Sequence, residues 1–348
     1  VLLVTDEFLV RTGVIAPFLD QFRAAGLETA VFDAVQPDPT DENVAAGVAA
    51  YQAQEAEVLV AIGGGSPMDA AKVISASLVN PGPLEHFQGY HRIAKAGPPV
   101  IAVPTTAGTG SEATKVAVIT DTRRNVKMMM LDASLMPRAA FVDYELSMSM
   151  PRSLTAHVGV DTLTHGIEAY VSRKANALTD PLALSCIELC AAHLRTAWRE
   201  PENRAAREGM AIAALQGGLA FTNSGLCLVH GMSRPLGAVF HLAHGLSNSM
   251  LLPAVTRYSV SGNRERYGNI ARILGAASAD ALADALAQLN QELEVPSLAE
   301  ALSGREAEFH AAVPKMALDA IASGSPANNP VVPDAAQVEQ LYFDIWRA

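Results

Sequence analysis

Short β-branched runs alternate with helical stretches as far as about residue 150, and then they stop. That rhythm is the signature of βαβ units around a parallel sheet in the first half, and its disappearance predicts helices in the second. Strands are expected over residues 1–5, 29–32, 58–62, 100–103, 116–120 and 139–142, and helices over 8–25, 41–54 and 67–78. After Pro151, Ala- and Leu-rich patterns with helical period predict helices over 180–197, 205–219 and 281–293. The expected boundary separates residues 1–151 from residues 152–348.

A chain of 348 residues is long enough for two domains, each with its own core. Hydrophobic residues make up 50% and charged residues 18%, which excludes a disordered or fibrous chain. The net charge of -11 disfavours nucleic acid and anionic membrane as partners and leaves a small molecule as the expected one. Cys186, Cys190 and Cys227 form no C-x-x-C pair and read as reduced thiols of a cytoplasmic protein. Neither a basic leader nor a span of about 20 apolar residues is found, so no export signal or membrane anchor is expected. Val1 opens the chain inside a strand-like run without an initiator Met, and a longer natural start is expected.

Asp161 and His165 stand one helical turn apart in Asp161-Thr-Leu-Thr-His165, so both can address one ion from one helix face. His230 and His244 follow downstream. One carboxylate with three imidazoles suits Fe(II) or Zn(II) without a thiolate. Unbroken helix would hold His230 and His244 roughly 21 Å apart, so the chain must bend between them. Pro235 and Gly237 are the expected breakers. A buried hydrogen-bond network without an ion is the alternative reading of these residues.

The run Val58-Leu-Val-Ala-Ile62 enters Gly63-Gly64-Gly65-Ser66-Pro67-Met68-Asp69, a buried strand, a glycine turn and a helix start. Ser66 fits the N-cap, Pro67 the first helical position and Asp69 a capping box. The glycines admit close backbone approach, and the positive helix end beside them suits a pyrophosphate. A tight turn with no ligand is the alternative. Met68 stands where the last glycine of G-x-G-x-x-G would be, so the common dinucleotide fingerprint is absent. Pro104-Thr105-Thr106-Ala-Gly-Thr109-Gly-Ser111 follows another strand and falls at the same sheet edge. Asp6 ends the first strand, where a carboxylate accepts from a ribose hydroxyl and repels a 2'-phosphate, favouring NAD over NADP. The expected fold class is thus an α/β N-terminal domain with a parallel sheet and a dinucleotide site, followed by an all-α C-terminal metal-binding domain.

With these segments in order, the chain resembles the iron-containing, or group III metal-dependent, alcohol dehydrogenases, whose fold is shared with dehydroquinate synthase. Four segments carry the resemblance: Gly63 to Lys72, Pro104 to Glu112, Asp161 to Tyr170 and His230 to Gly237. The resemblance implies metal ligands at Asp161, His165, His230 and His244 and pyrophosphate binding at Gly63, Gly64, Gly65 and Ser66. It implies further cofactor contacts from Asp6, Asp69, Thr105, Thr106, Thr109 and Lys127. Many members carry a histidine four residues after the ligand matching His230, where this chain has Arg234. An arginine cannot relay a proton near neutral pH but can pair with an anionic substrate tail. His241 is then the expected proton relay, with His157 a weaker choice.

The expected activity is hydride transfer between a nicotinamide and a small alcohol or aldehyde, in a homodimer. The alternatives are a metal-dependent lyase of the dehydroquinate synthase type, a maleylacetate reductase-like oxidoreductase, and a nucleotide-binding scaffold without chemistry.

Overall fold

The computed structural model of the chain describes residues 1–124 and 126–347. By packing it divides into two units, Val1–Ser147 and Met148–Ala348.

The first unit is built on β1 (Leu2–Val4), β2 (Ala30–Phe32), β3 (Leu59–Gly63), β4 (Gly89–Tyr90), β5 (Val100–Pro104), β6 (Val116–Asp121), β7 (Val126–Leu131) and β8 (Ala139–Ala140). Its helices are α1 (Glu7–Arg11), α2 (Ala16–Ala24), α3 (Asp41–Ala53) and α4 (Gly65–Val79). Five strands form a parallel sheet in the order β2-β1-β3-β5-β8. The continuous apolar runs of the inner strands β1, β3 and β5 follow from burial on both faces. Leu2, Val4, Leu59, Ala61, Val100 and Ala102 join the core made with α3 and α4. Leu3, Val60, Ile62 and Val103, the alternate residues, join Leu9 and Ile15 on the other face. The strand order reverses between β1 and β3, the position at which open α/β sheets bind ligands beyond their carboxyl ends.

The run at 116–120 is a strand, but as β6 it pairs antiparallel with β7 in a separate three-stranded sheet, β4-β7-β6, and not in the parallel one. The helix expected over 8–25 is two, because Gly13 takes a left-handed φ of 78° between α1 and α2. Ser66 is not an N-cap: α4 begins at Gly65 with Gly64 as its N-cap and no side-chain cap bond.

The second unit is all-helical: α5 (Arg152–Val171), α6 (Asp180–Arg199), α7 (Arg204–Ser224), α8 (Leu228–Phe240), α9 (His244–Ser259), α10 (Arg264–Leu274), α11 (Leu282–Glu292), α12 (Leu298–Ala301), α13 (Glu306–Ala322) and α14 (Ala335–Arg347). Among the described residues no single helix is long and apolar enough to cross a membrane. α5 is buried along most of its length, against α6, α7 and α9. Two glycines allow that: a β-carbon on Gly159 would stand 2.2 Å from Leu194 Cδ1, and one on Gly166 would stand 2.9 Å from Ile187 Cγ1. The buried Arg207 secures the start of α5, donating to Thr155 Oγ1 at 2.9 Å and to the Met150 carbonyl at 3.3 Å.

Pro235 and Gly237 do not break the helix between His230 and His244: α8 runs through both to Phe240. Packing outweighs the lost hydrogen bond. Tyr342 of α14 donates to the Met232 carbonyl at 2.6 Å, and Phe240 packs on Phe309 of α13 with ring centroids 6.1 Å apart. The reversal falls instead at His241, which caps α8 in a left-handed conformation with φ 58°.

Candidate metal centre and nucleotide cradle

α5 presents Asp161 and His165 on one face, α8 carries His230 in its first turn, and α9 opens on His244. Because α8 leads away from His230, the link at residues 241–243 must carry the chain back for His244 to approach it. The His230 and His244 rings lie 5.2 Å apart, and those of His165 and His230 stack at 4.8 Å. Asp161 Oδ1 lies 3.6 Å from His165 Nε2, 3.5 Å from His230 Nε2 and 4.0 Å from His244 Nε2. One donor atom from each of the four residues falls within 4.8 Å of all the others. Ligand bonds of roughly 2.0–2.2 Å to a common centre set donor atoms about 3.3–4.4 Å apart, the range in which the three Asp161 distances fall. The residues present therefore fit a divalent ion.

Asp161, His165 and His230 are buried and His244 is half-buried, which leaves one side of the cluster accessible. Burial works against a charge on Asp161, but the imidazoles of His165, His244 and His230 outweigh it and hold the carboxyl well below its ordinary range. Burial likewise opposes a proton on His230, and the Glu168 and Asp161 carboxylates override it upward.

Two residues of this centre escaped the sequence reading. Glu168 lies one turn past His165, and its Oε2 is 2.7 Å from His230 Nδ1. Asn248 lies one turn past His244, and its Nδ2 is 2.6 Å from Asp161 Oδ1 and 3.1 Å from both His230 Nε2 and His244 Nε2. Helical spacing from an identified ligand is the signal that could have found both.

In the first unit the structure brings the two glycine-containing loops together. Thr105 N–H donates to the Gly63 carbonyl at 2.9 Å. A β-carbon on Gly64 would stand 3.5 Å from Thr106, one on Gly65 would stand 2.9 Å from Thr109 Cγ2, and one on Gly63 would stand 2.6 Å from Pro67 Cγ. These are seats that a side chain would fill, at the start of a helix whose first N–H groups receive no side-chain cap. The arrangement fits a pyrophosphate. Asp6 follows β1 beside this turn and caps α1, accepting from Leu9 N–H at 2.9 Å.

Asp69 does not form the expected capping box. Its Oδ1 accepts from Ser111 Oγ at 2.7 Å and its Oδ2 from Val118 N–H at 2.9 Å, so it ties α4 to the second loop. Lys72 does the same from full burial, donating to the Ser111 carbonyl at 2.7 Å and the Val116 carbonyl at 2.9 Å. Burial lowers Lys72 to about 8 and raises the neighbouring Glu112 to about 7. Lys127, on β7, pairs with Asp38 at 2.6 Å. Arg234 stands one turn past His230 and donates to Ser325 Oγ at 2.9 Å, while His241 is exposed in its turn. His157 is half-buried one turn before Asp161, and burial lowers its pKa.

The family model described as iron-containing alcohol dehydrogenase matches residues 1–144, and the C-terminal model of the same family matches residues 155–346. The chain belongs to the iron-containing alcohol dehydrogenase family. It is a metal-dependent oxidoreductase of alcohols and aldehydes. Among this family's curated members, the NAD-dependent methanol dehydrogenase of Bacillus methanolicus is 39% identical over 97% of this chain and 90% of its own. A solved 1,3-propanediol oxidoreductase superposes with a TM-score of 0.93 at 35% identity, covering 99% of this chain and 91% of that one. Sulfoacetaldehyde reductase from Bifidobacterium kashiwanohense, solved with NAD+, superposes with a TM-score of 0.87 at 29% identity over 99% of this chain and 90% of that one.

Proposed function

We propose that the chain is an NAD-preferring, Fe(II)- or Zn(II)-dependent alcohol dehydrogenase and aldehyde reductase acting on a small substrate. The observation that carries this reading is the meeting of Asp161, His165, His230 and His244, with donor atoms within 4.8 Å of one another. A divalent ion held there supplies Lewis-acid polarisation of the substrate oxygen, and the nicotinamide supplies or accepts the hydride.

The side chains and backbone divide the remaining work. Gly63, Gly64, Gly65 and Ser66 seat the pyrophosphate with backbone N–H groups, and Thr105, Thr106 and Thr109 close the seat from the facing loop. Asp69 contributes by fixing that loop through Ser111. Asp6 accepts from the ribose hydroxyls and disfavours a 2'-phosphate, and Lys127 is a further cofactor contact. His241, exposed and on the link before His244, moves the hydroxyl proton to solvent.

Arg234 reads an anionic tail on the substrate. A guanidinium one turn past His230 keeps its charge at any working pH and offers paired donors to carboxylate, phosphonate or sulfonate. The likeness to a reductase of sulfoacetaldehyde, a sulfonated aldehyde, supports this choice. Three buried free thiols accord with a reducing, cytoplasmic setting, and a homodimer completes the reading.

The test is a panel of neutral, carboxylated, phosphonylated and sulfonated aldehydes, assayed with NADH and NADPH after Fe(II) or Zn(II) reconstitution. Metal-dependent, stoichiometric NADH oxidation that exceeds NADPH oxidation is expected. Absence of redox change with every aldehyde overturns the reading.

A further inference from the structure

We propose that Glu168 is a positioning residue of the metal centre, which fixes the His230 imidazole with Nε2 free for the ion and supplies the second buried negative charge of a site matched to a dication. The proposal rests on the four-ligand reading above.

Glu168 is 2% exposed. Its Oε1 accepts from Val229 N–H at 2.7 Å, while its Oε2 accepts from Cys227 N–H at 2.9 Å and lies 2.7 Å from His230 Nδ1. The two backbone groups belong to the start of α8, where N–H groups have no carbonyl partner within the helix and can only donate. One carboxylate therefore faces three nitrogens. An amide would set its NH2 against a backbone N–H at one of its two ends, whereas a carboxylate offers acceptor oxygens to both backbone donors and to the ring nitrogen. The contact to Nδ1 is then a hydrogen bond if Nδ1 carries the proton, and that tautomer leaves the lone pair on Nε2. Nε2 is the atom that lies 3.5 Å from Asp161 Oδ1. A carboxylate on the far nitrogen holds an imidazole ligand in orientation and raises its basicity.

As a carboxylate, the same residue also contributes to the charge of the centre. Asp161 and Glu168 are 1% and 2% exposed, one on either side of the His230 ring, and buried carboxylates demand compensation. Two negative charges balance one divalent ion. A trivalent ion would leave a buried excess of positive charge, so the pair favours the divalent state.

The test strips wild-type and Glu168→Gln protein of metal and titrates each with Zn(II) against a chromophoric chelator. Glu168→Gln is expected to weaken Zn(II) binding by roughly 10- to 100-fold, and Glu168→Asp, which keeps the charge on a shorter arm, to recover part of that loss. Equal Zn(II) affinity of wild type and folded Glu168→Gln overturns the proposal, even if the apo-protein melts earlier, since early melting alone is what a merely structural carboxylate would produce. Should Glu168→Gln fail to fold, nitrogen-15 spectra of the Zn(II)-loaded wild type decide: a proton on His230 Nδ1 supports the assignment, and a proton on Nε2 or a bond from Nδ1 to zinc overturns it. Wild-type protein that takes up no Zn(II) sinks the four-ligand reading together with this one, an outcome distinct from both.

Discussion

Asp69 of α4 and Ser111 of the facing loop are joined by a 2.7 Å hydrogen bond, which ties together the two sides of the proposed cofactor cradle. Asp69→Ala removes that tie and the acceptor for Val118 N–H while leaving every glycine of the cradle in place. The expected result is NADH affinity reduced by about tenfold with the fold retained, measured by fluorescence titration. Loss of the acceptor for Val118 N–H also costs about 1–3 kcal/mol of stability. Unchanged NADH affinity would mean that the loops hold their geometry without this tie.

His241 occupies a left-handed conformation, φ 58°, that carries a steric cost for a residue with a β-carbon. His241→Gly relieves the strain, so stability is expected to stay level or rise by up to about 1 kcal/mol, the gain being offset by the entropy of glycine. If His241 moves the proton, kcat falls by roughly 10²-fold or more with KM little changed. A variant as active as wild type removes His241 from the proton path and turns attention to His157.

Much of the first unit was legible because fully apolar runs ending in glycine and threonine loops can be little else than buried parallel strands with functional ends. The antiparallel pair β6 and β7 was not, since Val126-Lys-Met-Met-Met-Leu131 alternates weakly and methionine has no strong strand preference. The meeting of Asp161, His165, His230 and His244 could be anticipated from residue type and order, but the path between His230 and His244 could not. Pro235 looked like a breaker because the contacts that hold α8 through it, from Tyr342 and Phe309, lie far along the chain. Glu168 was hidden for a like reason: a glutamate within a helix reads as a solvated charge until its partners at Cys227, Val229 and His230, far along the chain, are known.

Glu112 gives the protein a predictable pH dependence. It is 4% exposed, and burial raises its pKa from 4.5 to about 7. Between those values the folded chain holds a proton that the unfolded chain releases, so this group's contribution falls as pH rises through the window. The full effect at higher pH is on the order of 3 kcal/mol. Melting temperature should therefore drop from about pH 5 to about pH 8 in wild type and drop less in Glu112→Gln. The lowered Lys72 acts with the opposite sign, its charged form being the disfavoured one, and that recovery begins above about 8. Parallel pH profiles for the two proteins would rule this origin out.

Metal removal should act on the helical unit, since the four residues proposed as ligands lie on α5, α8 and α9. Chelation is expected to lower the melting temperature, because a ligand bound only by the native state stabilises it by mass action. Asn248→Ala withdraws the amide from Asp161, His230 and His244, and faster zinc loss to a chelator is the expected readout. A melting curve indifferent to chelation of a metal-loaded sample would contradict both statements.

Arg234→His exchanges a fixed cation for a titratable ring. For carboxylated or sulfonated aldehydes KM should rise by about tenfold or more, the loss of one charge-assisted pairing, while neutral aldehydes of equal length keep their KM. Identical ratios before and after the change would detach Arg234 from substrate selection.

A survey of this molecule by deleting side chains would pass silently over the glycines of the proposed phosphate seat. Gly63 and Gly65 have no side chain to remove and serve by what they lack, and a methyl group on Gly65 would meet Thr109 Cγ2 at 2.9 Å. Mutational maps based on truncation will accordingly rank this turn as inert, and enlargement is the perturbation that registers it.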